Sequence, residues 1–432
     1  MKVCVAGLWH LGSVMAACLA DGGHEVCGFD EKDVTGALAR GEPPVAEPGL
    51  ADLVTKNIRE GRLRFDANAA AALRGAEVVW IAYDTPVDDD DRADVDAVMA
   101  SVQSLFPHIP DGALVLISSQ LPVGSTRRLE DLLAGSEGGR RGITFGCSPE
   151  NLRLGKAIQV FTRPDRVVVG LRSVEDRPRV ETLLAPFTDR IEWMSVESAE
   201  MTKHALNAFL ATSVVFINEI AALCEQVGAD AKEVERGLKS EQRIGPSAYL
   251  GPGGAFAGGT LARDVQFLSE LGQQHSVPVE LIGAVKTSND GHRGWEKRRL
   301  QELLGPLAGR RIAVWGLTYK PGTDTLRRSS AITLCEWLVE QGAVVVAHDP
   351  AVKALPPALS ARMEMAATPL QAATGAAALV IMTEWPDYRA IGGARIATAM
   401  NGGLVLDANR FLGQQLASLP GVRYVAVGTS VR

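Results

Sequence analysis

The chain has 432 residues, and 44 Lys+Arg against 51 Asp+Glu leave a formal net charge of −7. At roughly 100–200 residues per domain, that length provides for two to four domains with ample core. With 46% hydrophobic and 22% charged residues, a disordered, collagen-like or disulfide-stapled chain is excluded. The acidic balance also speaks against nucleic acid or an anionic membrane as partner.

Six cysteines, at positions 4, 18, 27, 147, 224 and 335, are scattered through apolar stretches without a CxxC pair. No histidine cluster has metal-ligand spacing, so no metal is expected, and scattered thiols fit a reducing cytoplasm. The apolar start lacks a signal-peptide core. No unbroken run of about 18 apolar residues occurs, so the expectation is a cytoplasmic protein with no membrane span.

In chain order, residues 2–6 read as a strand, 7–12 as a glycine-marked turn and 13–21 as a helix. Gly22-Gly23 stops the helix, and residues 25–29 form a second strand ending at Asp30. Further strands are expected at 78–83, 113–118, 143–147 and 166–170, separated by helix-length segments. That alternation describes a doubly wound parallel sheet. Residues 199–227 then run as one helix without Pro or Gly, long enough to bridge domains or build a dimer interface. A Gly-rich stretch, 245–259, leads into another helical pattern through Leu271. A second α/β region follows, with strands at 311–316, 343–347, 379–383 and 403–407. The expected fold is α/β: two Rossmann-like doubly wound domains joined by a long central helix and a small helical domain. The expected divisions are 1–196, 197–296 and 297–432.

A glycine turn opening a helix, with an acid about 20 residues on, is the dinucleotide fingerprint. Backbone N–H groups at the helix start face the pyrophosphate, and the carboxylate takes the ribose hydroxyls. Here Gly7 and Gly12 stand, but the middle glycine is replaced by Trp9. Asp30 favours NAD over NADP, whose 2′-phosphate it would repel. The same pattern also serves as a structural turn with no ligand.

The remaining motifs resemble the UDP-glucose/GDP-mannose 6-dehydrogenase family along the whole chain. They are Gly41-Glu42-Pro43-Pro44-Val45, Glu47-Pro48-Gly49-Leu50, Thr85-Pro86 and Ser148-Pro149-Glu150-Asn151-Leu152. The long helix adds Glu200-Met201-Thr202-Lys203, Asn207-Ala208-Phe209-Leu210-Ala211 and Phe216-Ile217-Asn218-Glu219. Arg243-Ile244-Gly245, Arg263-Asp264, Gly316-Leu317-Thr318-Tyr319-Lys320-Pro321, Arg327, Asp349-Pro350, Thr383-Glu384-Trp385 and Asp407-Ala408-Asn409-Arg410 complete the set.

The resemblance implies NAD as cofactor, a nucleotide-sugar substrate and a homodimer. The family oxidises the sugar 6-hydroxyl to a carboxylate with two NAD molecules, the second step passing through a cysteine thioester. By resemblance, Lys203 and Asn207 hold the oxyanion, Asp264 orders water or acts as base, and Glu150 assists hydrolysis. Lys203 and Asn207, four apart, share a helix face, and a buried lysine beside Asp264 would fix positive charge near a developing alkoxide. Gly7, Leu11, Gly12, Asp30, Lys32, Thr85 and Gln120 are the expected cofactor residues. Lys320 and Arg327 anchor the nucleotide sugar, with Tyr249, Leu250 and Gly258 in the same site, and Arg243 crosses to the partner subunit's sugar.

Four departures surround the expected chemistry. Thr260 stands at the position of the nucleophilic cysteine, and its hydroxyl is barely ionised at neutral pH, so the thioester route is closed. Gln120 stands where the family has a threonine near the nicotinamide, and Leu154 where a second carboxylate belongs. Arg263 replaces a lysine, which keeps charge but changes geometry. Cys147 lies near the site in sequence, but reads as a buried strand cysteine. The expected function is therefore an NAD-dependent nucleotide-sugar 6-dehydrogenase with altered chemistry, either a two-electron or a thiol-independent oxidation. The alternative is a non-catalytic homologue that binds NAD and nucleotide sugar.

Overall fold

A computed structural model describes residues 1–86, 88, 93–136, 142–150, 152–257, 259–400 and 402–430. Gly258 lies outside the described residues. The chain divides into two compact units, Met1–Leu206 and Asn207–Arg432.

The first unit is built on eight strands: β1 (Lys2–Ala6), β2 (Glu25–Phe29), β3 (Leu63–Asp66), β4 (Val78–Ile81), β5 (Leu114–Ile117), β6 (Thr144–Cys147), β7 (Val167–Leu171) and β8 (Ile191–Met194). Their order is β3-β2-β1-β4-β5-β6-β7-β8. Every residue of β4 and β5 is buried, which explains why these strands read as unbroken apolar runs: a sheet covered on both faces has no polar side.

The sequence reading expects a parallel sheet throughout, and one strand departs from it. β7 runs antiparallel to β6, pairing Gly146 with Leu171 and Cys147 with Gly170. Glycine makes that approach possible, because a Cβ on Gly146 would meet Gly170 O at 2.9 Å. The first helix, α1 (His10–Asp21), starts three residues earlier than expected. Gly7, at φ 90°, turns the chain at once and leaves Trp9 as the N-cap. A second helix that positions the site, α2 (Ser125–Ala134), follows β5.

The long helix α3 (Val196–Val227) has 32 residues, and the boundary between the two units falls on it. By length and composition alone it could cross a membrane, with a mean hydropathy of 1.6 over an 18-residue window. A search for an unbroken apolar run overlooks it.

The second unit opens on the rest of α3 and continues through α4 (Thr260–Gln274), α5 (Glu280–His292) and α6 (Trp295–Leu304). Its sheet has six strands: β9 (Arg311–Trp315), β10 (Val344–His348), β11 (Glu364–Met365), β12 (Ala378–Ile381), β13 (Gly403–Asp407) and β14 (Val422–Val425). All pair in parallel in the order β11-β10-β9-β12-β13-β14. Renumbered from its own start, that is the 3-2-1-4-5-6 order of the first six strands, a Rossmann arrangement used twice. Buried Glu225 on α3 accepts the Trp295 indole N–H at 2.8 Å and the Gly428 N–H at 3.0 Å, joining the helices to the end of this sheet. Arg410 adds a two-pronged pair with Asp230.

Candidate active site

The glycine turn after β1 is dictated by sterics. A Cβ on Gly7 would collide with the Tyr83 backbone, and one on Gly12 with the Gly7 carbonyl. Trp9 has an ordinary φ of −67°, so the missing middle glycine costs no backbone strain, and its side chain stands 50% exposed. The Asp30 carboxylate accepts the N–H groups of Leu8 and, at 2.7 Å, Glu31. Leu11 is half-buried against the core, and Lys32 is exposed. Thr85 is buried and donates its hydroxyl to Gln120 O at 2.7 Å. The amino end of α1, two obligate glycines and an acid at the end of β2 fit a dinucleotide.

Buried carboxylates hold the neighbouring loops. Glu47 accepts the N–H groups of Gly155 at 2.7 Å and Ala157 at 2.8 Å, and meets His10 Nε2 at 3.0 Å. Burial alone would raise its carboxyl, but the Gly155 N–H, His10 and the Ala157 N–H outweigh it and hold the group below the usual range. Glu200 on α3 accepts the Gly124 and Thr126 N–H groups and the Thr126 hydroxyl, capping α2 from outside. One turn later His204 meets Leu121 O at 3.0 Å. Lys203 is half-buried rather than buried, and donates to the main-chain oxygen of Glu150 at 2.6 Å.

In the second unit, the Asn207 amide on α3 donates to the carboxylate of Asp264, which is wholly buried. Thr260 is the exposed first residue of α4, and Asp264 follows one turn later on the same face. The Gly-rich loop before it is clamped by side chains. Asn218 accepts the Gly253 N–H at 3.0 Å, and Asn289 takes both the N–H and the oxygen of Phe256 at 3.0 and 2.8 Å. His292 meets Gly253 O at 2.8 Å. Burial lowers the His292 pKa, so the ring is neutral and Nε2 donates. Leu250 is buried, and Tyr249 is exposed. Arg243 is exposed and pairs with Glu241 at 3.1 Å, Lys320 is half-buried, and Arg327 is exposed.

The turn after β9 repeats the first one. Gly316 has φ 85°, and its Cβ would collide with Thr383. Asp349 at the end of β10 accepts the N–H groups of Leu317 at 2.7 Å and Thr318 at 3.1 Å and the Trp385 indole at 3.1 Å. Its other oxygen takes the N–H groups of Ala351 and Val352. Asp349 is thus committed to its own chain on both oxygens.

Residues 1–188 match the family model for the NAD binding domain of the UDP-glucose/GDP-mannose dehydrogenase family, residues 197–291 its central domain and 313–414 its UDP binding domain. The chain belongs to this family. It is 35% identical to a UDP-glucose 6-dehydrogenase of Pseudomonas aeruginosa, covering 99% of this chain and 97% of the relative. It is 32% identical to UDP-glucose 6-dehydrogenase TuaD of Bacillus subtilis, covering 99% and 93%. Among solved structures, a UDP-glucose dehydrogenase from Pyrobaculum islandicum superposes with a TM-score of 0.86 at 27% identity, covering 99% and 98%. NAD is therefore the cofactor, and the chain is a nucleotide-sugar dehydrogenase relative with a UDP binding domain.

All six cysteines are buried. Burial, then the charge of Glu200, pushes the Cys147 thiol well above its ordinary value, so it is no substitute nucleophile. Among the described residues no group of three or more His, Cys, Asp or Glu side chains is gathered for a metal. Sequence reasoning assigns no role to Glu47, Glu200, Asn218 and Asn409, which enter it only as motif letters, and passes over His204, Asn289 and His292. Polar side chains on apolar helix faces are the available signal.

Proposed function

We propose that this chain is an NAD-dependent nucleotide-sugar 6-dehydrogenase whose oxidation proceeds without a covalent thioester. The observation that carries the reading is the buried Asn207–Asp264 pair, one turn from Thr260. A carboxylate with no exposed surface is costly to bury, and the Asn207 amide offsets that cost while fixing the group one turn from Thr260. In this reading Asp264 receives the hydroxyl proton, and Lys203 and Asn207 stabilise the charge left on oxygen. Gly7, Leu11, Gly12, Asp30, Lys32, Thr85 and Gln120 hold the cofactor, and Tyr249, Leu250, Gly258, Lys320 and Arg327 hold the nucleotide sugar. When bound, NAD accepts the hydride that leaves the sugar carbon. Thr260, with no thiol to replace it, leaves either an aldehyde product or direct oxidation of the aldehyde hydrate.

The three-part division at 1–196, 197–296 and 297–432 belongs to the same reading, as does a cytoplasmic homodimer. Phe209, Phe216 and Leu223 stand exposed at seven-residue intervals on α3, the spacing of a helix–helix seam. In a dimer built on that seam, Arg243 reaches the partner's sugar. Burial of Glu200, His204, Asn218 and Glu225 along α3 supports a helix packed in protein rather than lipid.

One feature favours a second reading, a non-catalytic homologue that binds both ligands: the half-exposed Trp9 at the amino end of α1, where the pyrophosphate belongs. The experiment is NADH formation with UDP-glucose, UDP-N-acetylhexosamines and GDP-mannose, in the unmodified chain and in Thr260→Cys, with products identified by mass spectrometry. Turnover in the unmodified chain is expected. Silence in both, with sugar binding intact by calorimetry, transfers the chain to the binding-only reading.

A further inference from the structure

The segment after β9 is pinned on several sides. Asp349 takes the Leu317 and Thr318 N–H groups, and the Thr383 hydroxyl donates to Thr318 O at 2.6 Å. The Tyr319 N–H donates to Thr325 O at 3.0 Å. From this fixed backbone Tyr319 carries its hydroxyl to the amino end of α4, where a Cβ built on Gly259 would lie 3.8 Å from it. Gly259 has φ 99° and no side chain, so it puts nothing of its own between the phenol and the start of the helix at Thr260. Tyr319 is 37% exposed, so a ligand in the loop can reach it.

We propose that Tyr319 is a catalytic residue that hydrates the aldehyde intermediate. The inference rests on the reading above, in which the sugar's reacting carbon comes to Thr260. A threonine hydroxyl is a poor covalent nucleophile, so the aldehyde becomes a gem-diol before a second hydride leaves its carbon. A water oxygen forms the new bond to carbon as the carbonyl π bond breaks. The phenol passes its proton to the former carbonyl oxygen, and the added water returns a proton to the phenolate. One water is consumed, the phenol is regenerated and no electrons change hands. Asp264, which accepts the Asn207 amide, suits the receiving side of proton transfer, and the phenol supplies a donor. General acid–base groups of this kind contribute about 10²–10⁴-fold.

The test is exchange of the aldehyde oxygen of the 6-aldehyde of UDP-glucose with oxygen-18 water, followed by mass spectrometry without NAD. The unmodified protein should accelerate the exchange. Tyr319→Phe, which keeps the ring and its packing, should lose about 100-fold of that acceleration, with nucleotide-sugar affinity by calorimetry unchanged. Equal exchange in the two proteins, or none above solution in the unmodified one, overturns the inference. NADH formation from the parent alcohol, run alongside, separates the two ideas. If it is silent while Tyr319-dependent exchange persists, only the redox reading falls. If it continues in a protein that shows no exchange, only the hydration role falls.

Discussion

Asn409 reaches from the end of β13 to the Gly-rich loop, accepting the Gly254 N–H at 2.7 Å and donating its own amide to Glu384 at 2.6 Å. The approach is close enough that a Cβ on Gly253 would strike the Asn409 amide oxygen. The nucleotide-binding sheet therefore sets the loop that precedes Thr260, within one compact unit.

Asn409→Ala should release that loop without unfolding the protein, since both of its hydrogen bonds are exposed. A neutral hydrogen bond contributes about 1 kcal/mol, or roughly fivefold in affinity. The expected result is a KM for nucleotide sugar raised by about that factor, with the melting temperature little changed. An unaltered KM would mean that Asn218, Asn289 and His292 hold the loop by themselves.

Glu200 makes the opposite case, a buried carboxylate serving three donors at the start of α2. Glu200→Ala orphans the Gly124 and Thr126 groups and should cost about 2–4 kcal/mol in urea denaturation. Glu200→Gln keeps an acceptor and should cost less. With Gln120 holding the cofactor as proposed, on the loop that leads into this helix, NAD affinity by calorimetry should weaken in the same order. An alanine variant as stable as the parent would remove the capping role.

The contrast between these residues shows what the sequence could and could not say. β13 is read to its exact ends, and α3 nearly so, because burial on both sides or a long Pro-free run leaves an unambiguous pattern. β3 and β8 are missed because they are edge strands with half-exposed residues, which blunts the apolar signal. The antiparallel turn of β7 rests on pairing at two glycines and leaves no mark on periodicity. Lys203, Asn207 and Asp264 are found through motif letters. That Asn207 meets Asp264 across 57 positions is a property of packing. The loop clamps are illegible for the same reason: an asparagine on a helix looks like a solvated residue until its backbone partner is in place.

The glycine turn yields a graded prediction. Gly12→Ala puts a methyl group into the Gly7 carbonyl, a clash with backbone that no side-chain shift relieves. It should cost about 3 kcal/mol or more and lower soluble yield. Trp9→Gly meets no steric demand, since φ at Trp9 is ordinary. It should leave α1 folded with stability little changed, since glycine is preferred over large apolar residues at the N-cap and the indole makes no capping hydrogen bond. If the indole crowds the pyrophosphate, NAD binding by calorimetry should tighten about tenfold in Trp9→Gly. Unchanged affinity would show that the indole lies clear of the cofactor.

Glu296, in the first turn of α6, gives a pH dependence of known sign. Burial pushes its carboxyl from 4.5 up to about 7. Between those values the folded chain keeps a proton that the unfolded chain has lost, so folding takes up protons. The stability tied to this group is fully present below 4.5, falls as pH rises through the interval and stays lost above 7. Glu296→Gln cannot ionise and should match the parent at about pH 4. Near pH 8 it should be more stable by about 1–3 kcal/mol, since each tenfold gain in proton affinity is worth about 1.4 kcal/mol and partial exposure reduces the total. Urea denaturation of both proteins at the two pH values measures the difference. An advantage for the variant that is the same at both would point to packing rather than to the ionised carboxylate.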